Sequence, residues 1–141
     1  MKIVSTIARF LLGLVFVVFG LNGFLNFIPM PPPTGVAGQF IGALFVSHYL
    51  LVVMVVQILG GILLIANRYV PLGLTLLGPV VVNIFLFHAF MDHSGLPRAV
   101  FVIILWLLVA YSVRSAFAGV LQQRVNSSAI ADAQLNSATA R

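Results

Sequence analysis

The chain has no cysteine and no glutamate, and its only acidic side chains are Asp92 and Asp132. Without cysteine it has no disulfide, no thiol nucleophile, no thiol–disulfide exchange and no thiolate ligation of an iron–sulfur cluster. Two isolated acids leave no carboxylate pair for acid–base catalysis and no relay of buried acids for proton pumping within one subunit. Charge of either sign is scarce: 6% of the 141 residues are charged, against about 25% in soluble domains. Hydrophobic residues make up 62%. Such a chain cannot hide its apolar surface by folding on itself, so lipid or partner subunits must cover it. The length allows one compact bundle and no second domain of ordinary size. The net charge of +5 at first suggests nucleic acid. The seven basic residues, however, stand singly at the ends of apolar runs, the distribution of a membrane protein, and nucleic acid is set aside as a partner.

The central stretch runs from Val70 to His93, VPLGLTLLGPVVVNIFLFHAFMDH. It is long and apolar enough to span a bilayer, yet it carries Pro79, Asn83, His88, Asp92 and His93, and polar groups in hydrocarbon are costly. Pro71 suits the first turn of this helix, and Pro79 should kink or loosen it. Ahead of it, a first span is expected from Val4 to Ile28, too long for a signal peptide and with no clear cleavage site. Pro29, Pro31, Pro32 and Pro33 should end it. Thr34 to Ser47 has helical periodicity but is too short to cross, since a span needs about 20 residues. A short interfacial helix or a re-entrant turn is expected there. A second span should cover Tyr49 to Ala66, with Gln57, Gly60 and Gly61 on one face. A fourth should cover Arg98 to Phe117. Trp106, Tyr49, Tyr69 and the phenylalanines read as belt and packing residues, and Arg98 and Asp92 as a weak exposed pair. After Gly119 the chain turns polar and reads as a short helical extension followed by a disordered cytoplasmic tail. Its Asn126-Ser127-Ser128 glycosylation pattern is common by chance and is discounted.

Lys2, Arg9, Arg68, Arg114 and Arg124 then fall on one side and Arg98 on the other, which predicts cytoplasmic termini. This topology gathers Asn22, Asn26, His48, Asn83, His88, Asp92 and His93 in the outer half, with Gln57 near the midplane. The plain reading of Asn22, Gln57 and Asn83 is hydrogen bonding between helices. The sharper reading is an outward pocket whose amides hold a polar head group such as a quinone ring. His48 and His88, at similar depth, would suit a bis-histidine haem, a weaker alternative. His88 and Asn83 are five residues apart, about 140° around a regular helix, so they need not face one cavity.

Three stretches, ARFLLGLVFVVFGLNGF, QILGGILLIANRYVPLGL and GPVVVNIFLFHAF, resemble the DoxX family of small four-helix bacterial membrane proteins. The likeness covers most of residues 8 to 115, with matching positions at Gly20, Asn22, Gln57, Gly60, Gly61, Arg68, Pro71, Pro79, Asn83 and His88. It implies a role like that of subunits of a thiosulfate:quinone oxidoreductase, of a terminal quinol oxidase assembly, or of membrane complexes working with thiol enzymes. Distant relatives include a receptor-assembly chaperone. The family offers no agreed active site to carry over, and the absence of cysteine speaks against a direct thiol-redox role.

The expectation is an all-α membrane protein: a four-helix transmembrane bundle over residues 1–118, with a short interfacial or re-entrant segment between the first two spans and a polar tail over 119–141. It is placed in the bacterial inner membrane, as a homo-oligomer or part of a larger complex. Its expected role is an accessory or anchoring subunit of a quinone-linked redox complex, not catalytic alone. Candidate cofactor-binding residues are Asn22, Gln57, Asn83 and His88, with no metal site. A scaffold subunit and a small transporter are the alternatives.

Overall fold

The computed structural model describes residues 1–121 and 127–140. Among them there are α-helices and short 3-10 turns but no strands: α1 (Lys2–Leu25), α2 (Gly35–Val46), α3 (Tyr49–Ile65), α4 (Val70–Phe90), α5 (Leu96–Ser112) and α6 (Ser127–Thr139). Arg124 and Asn126 lie outside the described residues.

Three helical segments are long and apolar enough to cross a membrane: α1, α4, and α5 with the turn before it. The pair α2 and α3, bent by 86° at the break between them, makes a fourth if counted as one. At 17 residues α3 alone is about 26 Å long, short for a span. The corner falls at His48, whose φ of 62° turns the chain from one helix into the next. The segment expected to be a short helix is α2.

Helix α1 packs on α3 and α5, and α4 packs on the same two, so the four close into a ring. Leu12 and Phe16 from α1, Leu64 from α3, Leu74 and Leu77 from α4, and Val109 from α5 are fully or almost fully buried inside it. Outside, Phe10, Phe19, Val55, Leu59, Phe101 and Leu107 are exposed. Apolar surface on every outer face is what lipid covers and water does not.

The tightest contact in the ring is between α1 and α3. A Cβ at Gly13 would lie 2.8 Å from the Gly61 carbonyl oxygen, and a Cβ at Gly61 would lie 2.7 Å from the Gly13 oxygen. The two backbones touch because neither residue has a side chain, the small-residue packing typical of membrane helices. Gly20 meets Ile58 and Met54 on α3, and Gly60 meets Leu77 on α4. All four glycines are used within the chain, so association with a second copy does not rest on them. Arg9 adds a polar tie: its Nη1 donates to the carbonyls of Leu64 and of Ile65, the latter at 3.4 Å. These lie in the last turn of α3, where carbonyls lack intrahelical donors and the helix dipole favours a cation.

Several expectations are corrected. The prolines do not end α1; Asn26 does, in the left-handed conformation (φ 49°), with its N–H on the Asn22 carbonyl. Asparagine tolerates this conformation better than most residues. The expected loosening at Pro79 does not divide α4, which is continuous there although proline offers no N–H to the Thr75 carbonyl. Of the two readings of Trp106 the packing one applies: part-buried, it donates its indole N–H to the Leu74 carbonyl at 3.1 Å and ties α5 to α4. In the polar tail, where a short helical extension was expected, α6 covers Ser127–Thr139. Alanine and other good helix formers account for that helix; Ile130 and Leu135 remain exposed.

Candidate functional site

A cavity of about 530 Å³ opens between α2, α3 and α4. The 86° corner lays α2 across the flank of the ring, and Phe40, Ile41 and Leu44 form its roof. Phe40 reaches Phe87 on α4, with ring centroids 6.1 Å apart. Helix α3 supplies Tyr49, Val53, Val56 and Gln57. Helix α4 supplies two rows at i+4 spacing, Thr75-Pro79-Asn83-Phe87 and Leu76-Val80-Ile84-His88. Such rows are the ridges by which one helix faces another. Asn83 and His88 therefore share the cavity despite the wide angle between them, because each stands on a different ridge and α2 covers both.

Three of the four candidate residues, Gln57, Asn83 and His88, come together here. Asn22 does not. It is 2% exposed, the only buried polar side chain among the described residues. Its Oδ1 accepts from the Ile28 N–H at 2.6 Å, and its Nδ2 lies 3.4 Å from the Ile28 carbonyl oxygen. Asn22 thus clamps the chain that leaves α1. Nor do the amides pair across helices. Asn83 is exposed and donates to the Pro79 carbonyl of its own helix at 3.0 Å. Gln57 makes no side-chain hydrogen bond among the described residues, so its donors and acceptor are available to a guest.

His88 is the best-positioned polar group in the wall. Its ring lies against Gly95, where a Cβ would collide with Cε1 and Nδ1. Phe87 packs edge-on at 5.1 Å between ring centroids. Its Nδ1 lies 3.0 Å from the Asp92 carbonyl oxygen and 3.6 Å from Oδ2 of the same residue. A carbonyl only accepts, so Nδ1 carries the proton, and in the neutral ring Nε2 is left as an acceptor. His48 is exposed at the start of α3 and does not line the cavity, so the two histidines are not arranged as a haem pair.

Asp92 stands behind His88, outside the cavity lining. Its Oδ1 accepts from the Ser94 hydroxyl at 2.6 Å and from the Ser94 N–H at 3.2 Å. The Ser94 hydroxyl holds its carboxyl below the ordinary value, and the Ser94 N–H, His88 and Arg98 act in the same direction. Arg98 contributes at a distance; the expected contact pair is not formed among the described residues. A lowered carboxyl pKa favours the folded state above the ordinary value, and this contribution is lost as pH falls through the lowered one. Ser94→Ala should raise the Asp92 titration midpoint toward that of a free aspartate, measured by carboxyl carbon NMR in micelles. An unmoved midpoint would show that the hydroxyl does not hold the carboxylate.

The roof was not legible beforehand. Nothing in the sequence sets Phe40 or Phe87 apart from the other phenylalanines, and only the corner at His48 reveals that α2 folds over α4. Comparison with protein-family models, with curated proteins and with solved structures finds no match.

Proposed function

We propose that the chain is an integral membrane protein of four spans, similar to DoxX, and an accessory or anchoring subunit of a quinone-linked redox complex. In this reading α3 is the second span and α2 the interfacial or re-entrant segment before it, and the protein sits in a bacterial cytoplasmic membrane, in a homo-oligomer or larger assembly. Lys2, Arg9 and Arg114 gather at one end of the ring and Arg98 stands at the other, which supports cytoplasmic termini.

The observation that carries the reading is the apolar cavity with Gln57, Asn83 and His88 in its wall. Its volume falls in the range of small-molecule sites, roughly 300–1,000 Å³. An apolar ring with two oxygen substituents suits such a wall. Gln57 and Asn83 can donate to a carbonyl oxygen. Neutral His88 offers an acceptor at Nε2, so it fits the hydroxyl of the reduced, quinol form rather than a quinone carbonyl. The chain's own residues bind and orient the head group; the electrons come from a partner.

The test is binding of a quinone analogue and of its quinol to the protein in lipid discs. Wild type should bind both and turn nothing over. Gln57→Leu should weaken both, by about 1–3 kcal/mol if a buried hydrogen bond is lost. His88→Leu should weaken the quinol more than the quinone. No binding by wild type, or binding untouched by either substitution, would favour a scaffold subunit, which the apolar outer faces would also suit.

A further inference from the structure

A second cavity, of about 640 Å³, lies at the opposite end of the ring. It is framed by the start of α1, the connection between α3 and α4, and the end of α5. Lys2, Arg9 and Arg114 stand in its wall with Asn67, Tyr111 and Ser112. No acid is among the lining residues: Asp92 is at the far end, and Asp132 is in α6. Three cations share this space without a counter-charge, which repels them from one another unless an anion enters.

The arginines are held in place before any ligand arrives. The Arg114 guanidinium lies 4.3 Å from the Tyr111 ring centroid, and its Nη1 donates to the Tyr111 carbonyl at 3.0 Å. Arg9 is tied through Nη1 to the end of α3, and its Nε and Nη2 make no hydrogen bond to another described residue. A guanidinium has five N–H donors in a planar fork that matches a phosphate, so both retain donors for one. Helix α1 also begins here without a side-chain cap, and its first N–H groups lack intrahelical acceptors. The remaining wall, including Val4, Val70 and Leu108, is apolar.

We propose that this cavity binds a phosphate-bearing anion between Lys2, Arg9 and Arg114. Fixed guanidinium forks, an uncapped helix start and an apolar wall together suit a phosphate ester attached to something apolar. The phosphate could be supplied by a lipid headgroup or from solution, and the proposal is independent of what fills the cavity under α2.

The test is binding to the full chain in mild detergent, followed by native mass spectrometry and thermal melting. The probes are phosphatidylglycerol, phosphatidylcholine and inorganic phosphate. Phosphatidylglycerol should be retained over phosphatidylcholine and should raise the melting temperature. Lys2→Gln and Arg114→Gln should each weaken that retention about fivefold, while Arg98→Gln at the other end leaves it unchanged. Arg9 is left intact because it also joins α1 to α3. Binding of phosphatidylglycerol without competition by inorganic phosphate assigns the site to a lipid, and competition at low millimolar phosphate assigns it to a soluble anion. Either outcome supports the anion site. Equal retention of both lipids with no phosphate binding, or selectivity that survives loss of both Lys2 and Arg114, would overturn it.

Discussion

Gly61→Val should leave little folded protein after detergent extraction, because it drives apart the two helices on which the ring depends. The added Cβ would meet the Gly13 carbonyl oxygen at 2.7 Å and Val17 Cγ2 at 2.8 Å. The carbonyl is backbone inside a 24-residue helix and cannot step aside as a side-chain end could. Gly61→Ala carries the same first clash and should cost about 1–3 kcal/mol, the usual range for overpacking a close-packed interior. The valine adds two methyl groups to it. Gly42→Ala is the control: nothing lies within 4 Å of a Cβ there, so the change should be neutral or slightly stabilising by helix propensity. Circular dichroism melting in one detergent compares all three. If Gly61→Ala melts with the wild type, the α1–α3 crossing is looser than the structure has it.

Asn22→Leu should be the second most damaging change, at about 1–3 kcal/mol, because it removes the buried partner of Ile28. The Ile28 N–H is part-buried, so losing its acceptor leaves it with part of its desolvation cost unmet. The proline segment that follows should also lose its anchor, so a cysteine placed at Thr34 should label faster in Asn22→Leu than in the wild type. Asn83→Leu should be nearly neutral for stability, since Asn83 is exposed and bonded only to its own helix. From the sequence both asparagines read alike, as amides that pair between helices or hold a head group. If Asn83→Leu melts lower than Asn22→Leu, the roles assigned to the two amides are reversed.

The contrast shows where sequence reading reached. Hydropathy and proline positions located each long helix to within a few residues at most ends, and Pro71 falls in the first turn of α4 as expected. Gln57, Asn83 and His88 line one cavity, although the angle between Asn83 and His88 did not require it, and neither the roof of α2 nor the separate place of Asn22 could be read from the sequence. The basic residues at the α1 end were read as topology marks, and their convergence on one cavity went unseen. Lys2, Arg9 and Arg114 are far apart in sequence, and only the closure of α5 against α1 brings them together.

The sequence by itself determined the class of the protein: all-helical, with three or four segments apolar enough to cross a membrane. These properties follow from local hydropathy and from backbone restrictions at proline and asparagine, which act over a few residues whatever the rest of the chain does. Tertiary structure alone decided what each polar and small residue is for. Gly13 and Gly61 became a backbone contact because α1 and α3 cross there. Trp106 became a tie because the Leu74 carbonyl of the neighbouring helix faces it. Asn22 became a clamp because the chain doubles back after Asn26. Burial and hydrogen-bond partners depend on how helices distant in sequence cross, and periodicity along one helix carries no record of that crossing.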